Sequence, residues 1–203
     1  MLVNTHLAIG LYCYKLCNEK YNLSLNKKRF LAGCVEPDLH KRRNKIKHTY
    51  SVSKDKMLEY KDYIESNDLD INEVSFIIGK IAHYIADCFC KYHLDEYYGK
   101  DMKNHFAYEV TLHLMLRKTL RNNNDIFENI LDNIDDSVDY LEELKRNRQE
   151  YLSLEEDCIN DIFYTIKTTC QLLYLTEKYF TLFKFYYNKI YNIKFAILMI
   201  LRV

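Results

Sequence analysis

An all-α fold, built as a single-domain multi-helix bundle over residues 1–203, is what this sequence predicts. Three observations carry the prediction. Only four glycines and one proline are spread over 203 residues, far below average usage, and a sheet with many tight turns is hard to build so. Apolar residues recur with helical period along most of the chain. One segment, from about residue 72 to 92, is apolar nearly all round, as a helix at the centre of a bundle would be. The length suffices to bury one sizeable core.

The elements follow in order. Thr5 is placed to cap a first helix running to about residue 21, with apolar Leu7, Ile9, Leu11, Tyr12 and Leu16. Asn26 caps a short helix, 27–33, that ends near Gly33. The stretch 34–52 reads as an ordered loop, with Pro37 biasing Glu36 toward extended backbone. Ser53 begins an amphipathic helix to 66, and Asp70 or Asn72 starts the long central helix to about 92. A connection at 93–103 contains Gly99, and a helix from about Asp101 runs to 121, where Asn122–Asn124 break it. Apolar positions 126, 127, 130, 131, 134, 138, 141 and 144 predict a surface helix, and two more helices are expected at about 153–174 and 176–200.

The formal net charge is zero, so general nucleic-acid binding is not expected. Charge is nonetheless segregated: residues 27–61 are basic, with a cluster at 41–47, and residues 125–161 are acidic. The basic cluster could draw in anionic headgroups or phosphates, although such segregation is more often ordinary solvated surface. Seven cysteines form no C-x-x-C pair, which predicts reduced, mostly buried thiols, with Cys88 as an extra soft ligand only the weak alternative. The N-terminus has no basic or long apolar region of a signal peptide, so a cytoplasmic protein is expected. The apolar run 195–201 is far short of the roughly 20 residues a membrane-spanning helix needs. A final core helix is expected there, with peripheral contact to a membrane surface as the alternative.

Two pairs four residues apart, His83 with Asp87 and His105 with Glu109, put an imidazole and a carboxylate on one helix face. Each sits in an apolar stretch, where an unpaired ionised carboxylate would cost several kcal/mol. A metal ion removes that cost. His93 lies between the pairs, and His6, Asp38 and His48 lie upstream. This donor set predicts a multinuclear site, zinc by its ligand chemistry, inside the bundle core. There is no H-E-x-x-H motif, so a common zinc-protease reading fails. His40 and His113 stand outside the pattern and are expected to be structural.

The segments THLAIG (5–10), GCVEPD (33–38), His48, GKIAHYIADCFCKYH (79–93) and HFAYE (105–109), in this order, resemble the zinc-dependent phospholipase C family over roughly residues 4–110. The resemblance implies two or three zinc ions. His48, His83 and Asp87 would hold one. Asp87 would bridge to a second, also bound by His6. His93, His105 and Glu109 would hold a third, and Asp38 would be a ligand or the base for the attacking water. The implied activity is phosphodiester hydrolysis by metal-activated water, on a phospholipid or another phosphodiester. A non-catalytic metal-binding protein, or a nuclease like the single-strand-specific zinc nucleases that share this fold, are the alternatives. In secreted members an N-terminal tryptophan completes the ion bound by the counterpart of His6. This chain has no tryptophan, which leaves that ion weakly held, completed by the Met1 amine, or absent.

Overall fold

In the computed structural model, the described residues are 1–39, 48–122, 127–132, 134, 135 and 137–200, without the side chains of 128 and 181–200. His40 and the basic cluster at 41–47 lie outside them, as do the side chains of the 195–200 run. The described residues form helices α1 (Val3–Tyr21), α2 (Lys27–Leu39), α3 (Tyr50–Ser66), α4 (Ile71–Cys88), α5 (Met102–Arg121), α6 (Tyr140–Leu152) and α7 (Cys158–Ile200). Short 3-10 turns occupy Lys91–His93 and Glu128–Leu131, and no strand occurs among the described residues.

Helix α4 is the centre. Asp70 caps it by accepting from the Asn72 and Glu73 backbone N–H groups, while the Glu73 side chain returns to the Asp70 N–H, a reciprocal capping box. Val74 and Ser75, then Ile77 to Gly79 and Ile81 to Cys88, are buried, so the all-round apolar pattern has its expected outcome. Helices α1, α2, α3 and α7 pack around α4, and α7 also takes α1, α5 and α6. Among the described residues, no helix is long and apolar enough to cross a membrane. All seven cysteines are free and buried.

Several boundaries differ from the sequence reading. Thr5 does not cap α1: the helix begins at Val3, and the buried Thr5 Oγ1 lies 3.1 Å from His113 Nδ1, joining α1 to α5. Asn26 does cap α2, accepting from Lys28 and Arg29 N–H at 3.0 and 3.2 Å. That helix passes Gly33 and Pro37 to end at Leu39, so Glu36 is helical rather than extended. Tertiary contacts outweigh the proline: the Cys34 carbonyl accepts from His83 Nδ1 at 3.0 Å, and Glu36 pairs with Lys80 at 3.1 Å. Helix α3 starts at Tyr50, with Ser53 buried inside it, and α4 ends at Cys88, short of 92.

The surface helix expected at 126–144 is replaced by a 3-10 turn and a restart. Asp135 accepts from the Ser137 N–H and hydroxyl at 3.0 and 2.6 Å, and Asp139 caps α6 through the Leu141 and Glu142 N–H groups. These local side-chain bonds compete successfully with the apolar periodicity. Residues 158–200 form one helix where a break near 175 is expected.

Candidate metal centre

The site is assembled from five segments on one side of α4. Helix α1 contributes His6, α2 Asp38, the segment just ahead of Thr49 (the cap of α3) His48, α4 His83 and Asp87, and the turn after α4 with α5 the set His93, His105 and Glu109. Seven of the eight residues predicted from the sequence fall into groups whose donor atoms lie within 4.8 Å of one another; His105 joins none of these groups, and its Nε2 lies 2.8 Å from Glu109 Oε1. His6, His48, His83 and His93 are 3% exposed or less, and Asp87 is fully buried. His6 and His83 stack with ring centroids 3.8 Å apart.

The hydrogen bonds fix which ring nitrogen each histidine presents. His83 Nδ1 donates to the Cys34 carbonyl at 3.0 Å, so its Nε2 faces the site, 3.2 Å from His48 Nδ1 and 3.3 Å from Asp87 Oδ2. His93 Nδ1 donates to the His48 carbonyl at 3.1 Å, turning Nε2 toward Glu109 Oε1 at 3.1 Å. A backbone carbonyl holding one nitrogen while the other points inward is how proteins orient a metal-binding imidazole. His105 Nε2 reaches the same Glu109 oxygen at 2.8 Å.

Asp87 divides its two oxygens. Oδ1 faces His6 at 3.3 Å, His93 at 3.4 Å and the Met1 ammonium at 2.7 Å, while Oδ2 faces His48 at 2.7 Å and His83 at 3.3 Å. Asp38 stands further out, with Oδ2 3.7 Å from His6 Nε2 and Oδ1 4.0 Å from both His48 Nδ1 and His83 Nε2. The Met1 ammonium also lies 3.0 Å from His93 Nε2 and 3.1 Å from Glu109 Oε1.

The electrostatics call for cations. Burial, then the neighbouring His83, lowers the His6 pKa to about 3, and burial also lowers that of His93. These rings are therefore neutral near pH 7. Burial opposes ionisation of Asp87, yet His93, the Met1 ammonium, His6 and His83 hold its carboxyl well below the usual range. Glu109 is likewise held low against burial, chiefly by His105 and His93. For Met1, burial works against the charge, and Asp87 with Cys90 and Glu109 raises the amine to about 11. The Met1 ammonium faces two of the carboxylates, Asp87 at 2.7 Å and Glu109 at 3.1 Å, in surroundings where a buried charge is costly unless paired.

The residues fit divalent metal ions. Neither ring nitrogen of the buried His6 has a hydrogen-bond partner among the described residues. With Nδ1 of His93 committed as donor, its Nε2 and Glu109 Oε1 are two acceptors facing each other at 3.1 Å, and the Met1 ammonium is the cation the structure sets beside both. Three sets of donor atoms lie within 4.8 Å of one another: His6, His83 and Asp87; Asp38, His48 and His83; and Cys90, His93 and Glu109. Neutral imidazole and carboxylate are the donors zinc takes.

Three features went unread in the sequence. Cys90 joins a donor set, whereas Cys88 joins none; the Cys-x-x-His spacing of 90 and 93 was the available signal. Asp161 on α7 accepts from Tyr108 and Tyr151 hydroxyls at 2.8 Å and from the Lys91 N–H at 3.2 Å, tying α5 and the His93 turn to α7. Burial outweighs those bonds and raises its pKa to about 6. Arg148 donates to the Cys88 carbonyl at 2.5 Å and lies over the Tyr50 ring at 4.1 Å, placing a cation at the C-terminal end of α4. A pocket of about 330 Å³ opens onto the cluster, lined by His48, His93, Tyr98, Gly99, Met102, His105, Phe106 and Glu109.

A family model described as zinc-dependent phospholipase C matches residues 5–169. The match reaches beyond the motif-bearing stretch to α6 and the first turns of α7. Comparisons with curated proteins and with solved structures gave no match.

Proposed function

The chain belongs to the zinc-dependent phospholipase C family, and from that membership we propose that it hydrolyses phosphodiesters, phospholipids among them, with metal-activated water. The observation that carries the reading is the pocket. Its floor is made of His48, His93, His105 and Glu109, and its rim carries Met102 and Phe106, 68% and 62% exposed. A polar floor beneath exposed apolar side chains suits a substrate with a phosphate and a hydrocarbon part. The same rim gives the chain a means of peripheral contact with a lipid surface.

Two or three zinc ions held by His6, Asp38, His48, His83, Asp87, His93, His105 and Glu109 would supply a bound water with a pKa near 7 and neutralise the charge developing on phosphate. The side chains do the rest. Asp87 presents one oxygen to each half of the cluster. The Cys34 and His48 carbonyls keep the His83 and His93 rings in one tautomer. Asp38, the carboxylate set furthest from the imidazoles at 3.7–4.0 Å, accepts the proton from the attacking water or orients it.

The test is metal analysis by mass spectrometry alongside a diesterase panel on one purified sample. Phosphatidylcholine, a soluble aryl phosphodiester and single-stranded DNA separate a phospholipase, a general diesterase and a nuclease. A zinc-loaded, folded protein that cleaves none of them is a non-catalytic metal-binding protein.

A further inference from the structure

Cys90 has no part in the mechanism above. It is the residue before the 3-10 turn Lys91–His93, and its carbonyl accepts the His93 N–H at 2.8 Å. This short turn places the thiol and the His93 ring in one donor set with Glu109, all within 4.8 Å. The side chain is 0% exposed. Cys13 reaches the Ile166 carbonyl at 3.9 Å and Cys17 the Cys170 carbonyl at 3.8 Å. The Cys90 sulfur has no hydrogen-bond partner among the described residues. What lies near it are the ammonium, the imidazole and the carboxylate of the cluster.

We propose that the Cys90 thiolate is a ligand of the ion held by His93 and Glu109, which makes that position a mixed sulfur, nitrogen and oxygen site. The proposal rests on the zinc reading of the centre. Binding releases the thiol proton to solvent as the sulfur–metal bond forms. Cys90 does not line the pocket that His93, His105 and Glu109 line, so the sulfur approaches from the protein interior. His105 Nε2 lies 2.8 Å from the Glu109 oxygen but joins no donor set with Cys90. Three protein donors leave one tetrahedral position open toward the pocket, which is the pattern of catalytic zinc. A thiolate also selects zinc or another soft ion over magnesium, calcium or manganese.

X-ray absorption at the zinc edge of the loaded, full-length protein tests this directly. The expected result is a sulfur scatterer at about 2.3 Å beside nitrogen and oxygen at about 2.0–2.2 Å. Cobalt(II)-loaded protein should show a thiolate-to-cobalt charge-transfer band in the near ultraviolet, lost in Cys90→Ser and kept in Cys88→Ser. Cys90 is the only cysteine in any donor set among the described residues, so sulfur in the wild-type shell supports the proposal even if Cys90→Ser does not fold. A zinc-loaded protein whose metal has only nitrogen and oxygen neighbours overturns the sulfur ligand and leaves the zinc reading standing. A folded protein that binds no zinc overturns both. A band that survives in Cys90→Ser also overturns the assignment.

Discussion

Gly33 of α2 and Gly79 of α4 meet backbone to backbone: a Cβ on Gly33 would stand 2.9 Å from the Gly79 Cα, and one on Gly79 would stand 2.8 Å from the Gly33 Cα. This crossing brings the Cys34 carbonyl against His83 and carries Asp38, one turn further along α2, to the cluster. The helix pair thus sets the spacing between a carboxylate from one helix and imidazoles from another.

Gly79→Ala should separate α2 from α4. The added methyl meets backbone at Phe30 and Cys34 rather than a flexible side chain, so the cost should reach or exceed about 3 kcal/mol, the upper end for overpacking. Chemical denaturation measures it, and metal content should fall with it. An alanine variant as stable as the parent would contradict the crossing.

Asp87→Ala should remove metal from both halves of the cluster, because one oxygen faces His6 and His93 and the other faces His48 and His83. Elemental analysis should show more than one equivalent lost, together with all activity. Glu109→Ala, by contrast, should lose about one equivalent. Equal losses in the two variants would argue against a bridging Asp87.

Asp38→Asn should retain most of the metal and lose about 10²-fold or more in rate, the scale of a missing general base. A kcat/KM series across pH, with metal content measured on the same samples, separates this from simple metal loss. If the rate falls only in proportion to the metal, Asp38 is a ligand alone.

Metal-free protein should lose stability as pH falls below about 6.5. In the fold the His6 pKa is about 3 and that of His93 is lowered, whereas an unfolded histidine titrates near 6.5. The unfolded chain therefore binds more protons in this window, and stability falls by up to about 1.4 kcal/mol per pH unit for each such group. Asp161 works the other way. Its folded pKa of about 6 lies above the ordinary 3.8, so it favours the fold at low pH and that contribution is lost as pH rises through about 6. Thermal melts of chelator-treated wild type between pH 4 and 7 should decline toward acid, and Asp161→Asn should decline more steeply. A flat wild-type profile would contradict the neutral buried histidines.

The helical class and the central place of α4 were legible because burial on all sides leaves no polar stripe in the sequence. Two pairs, His83 with Asp87 and His105 with Glu109, were legible because they sit at helical spacing in apolar stretches, whereas His6, Asp38, His48 and His93 took their roles from the resemblance to the family. The extent of α2 was not, since the contacts that carry it past Pro37, Cys34 with His83 and Glu36 with Lys80, come from residues more than forty positions away. The turn at Asp135 and the cap at Asp139 were legible in principle, as Asp-x-Ser and Asp before an apolar run, but the periodicity of 126–144 masked them. The Met1 amine was legible only as one way to complete the ion at His6, and Cys90 only through its Cys-x-x-His spacing with His93.

His6 stacks on His83, and this pairing has a consequence for biosynthesis. At about 5–20 residues per second of translation, α1 waits several seconds at the ribosome before α4 emerges. Through that interval its half of the cluster has no partner, and the α5 donors come later still. Ions cannot be gathered one helix at a time. Loading becomes a late event, timed by the completion of α5, and the fraction of chains that acquire metal will depend on the free ion concentration at that moment.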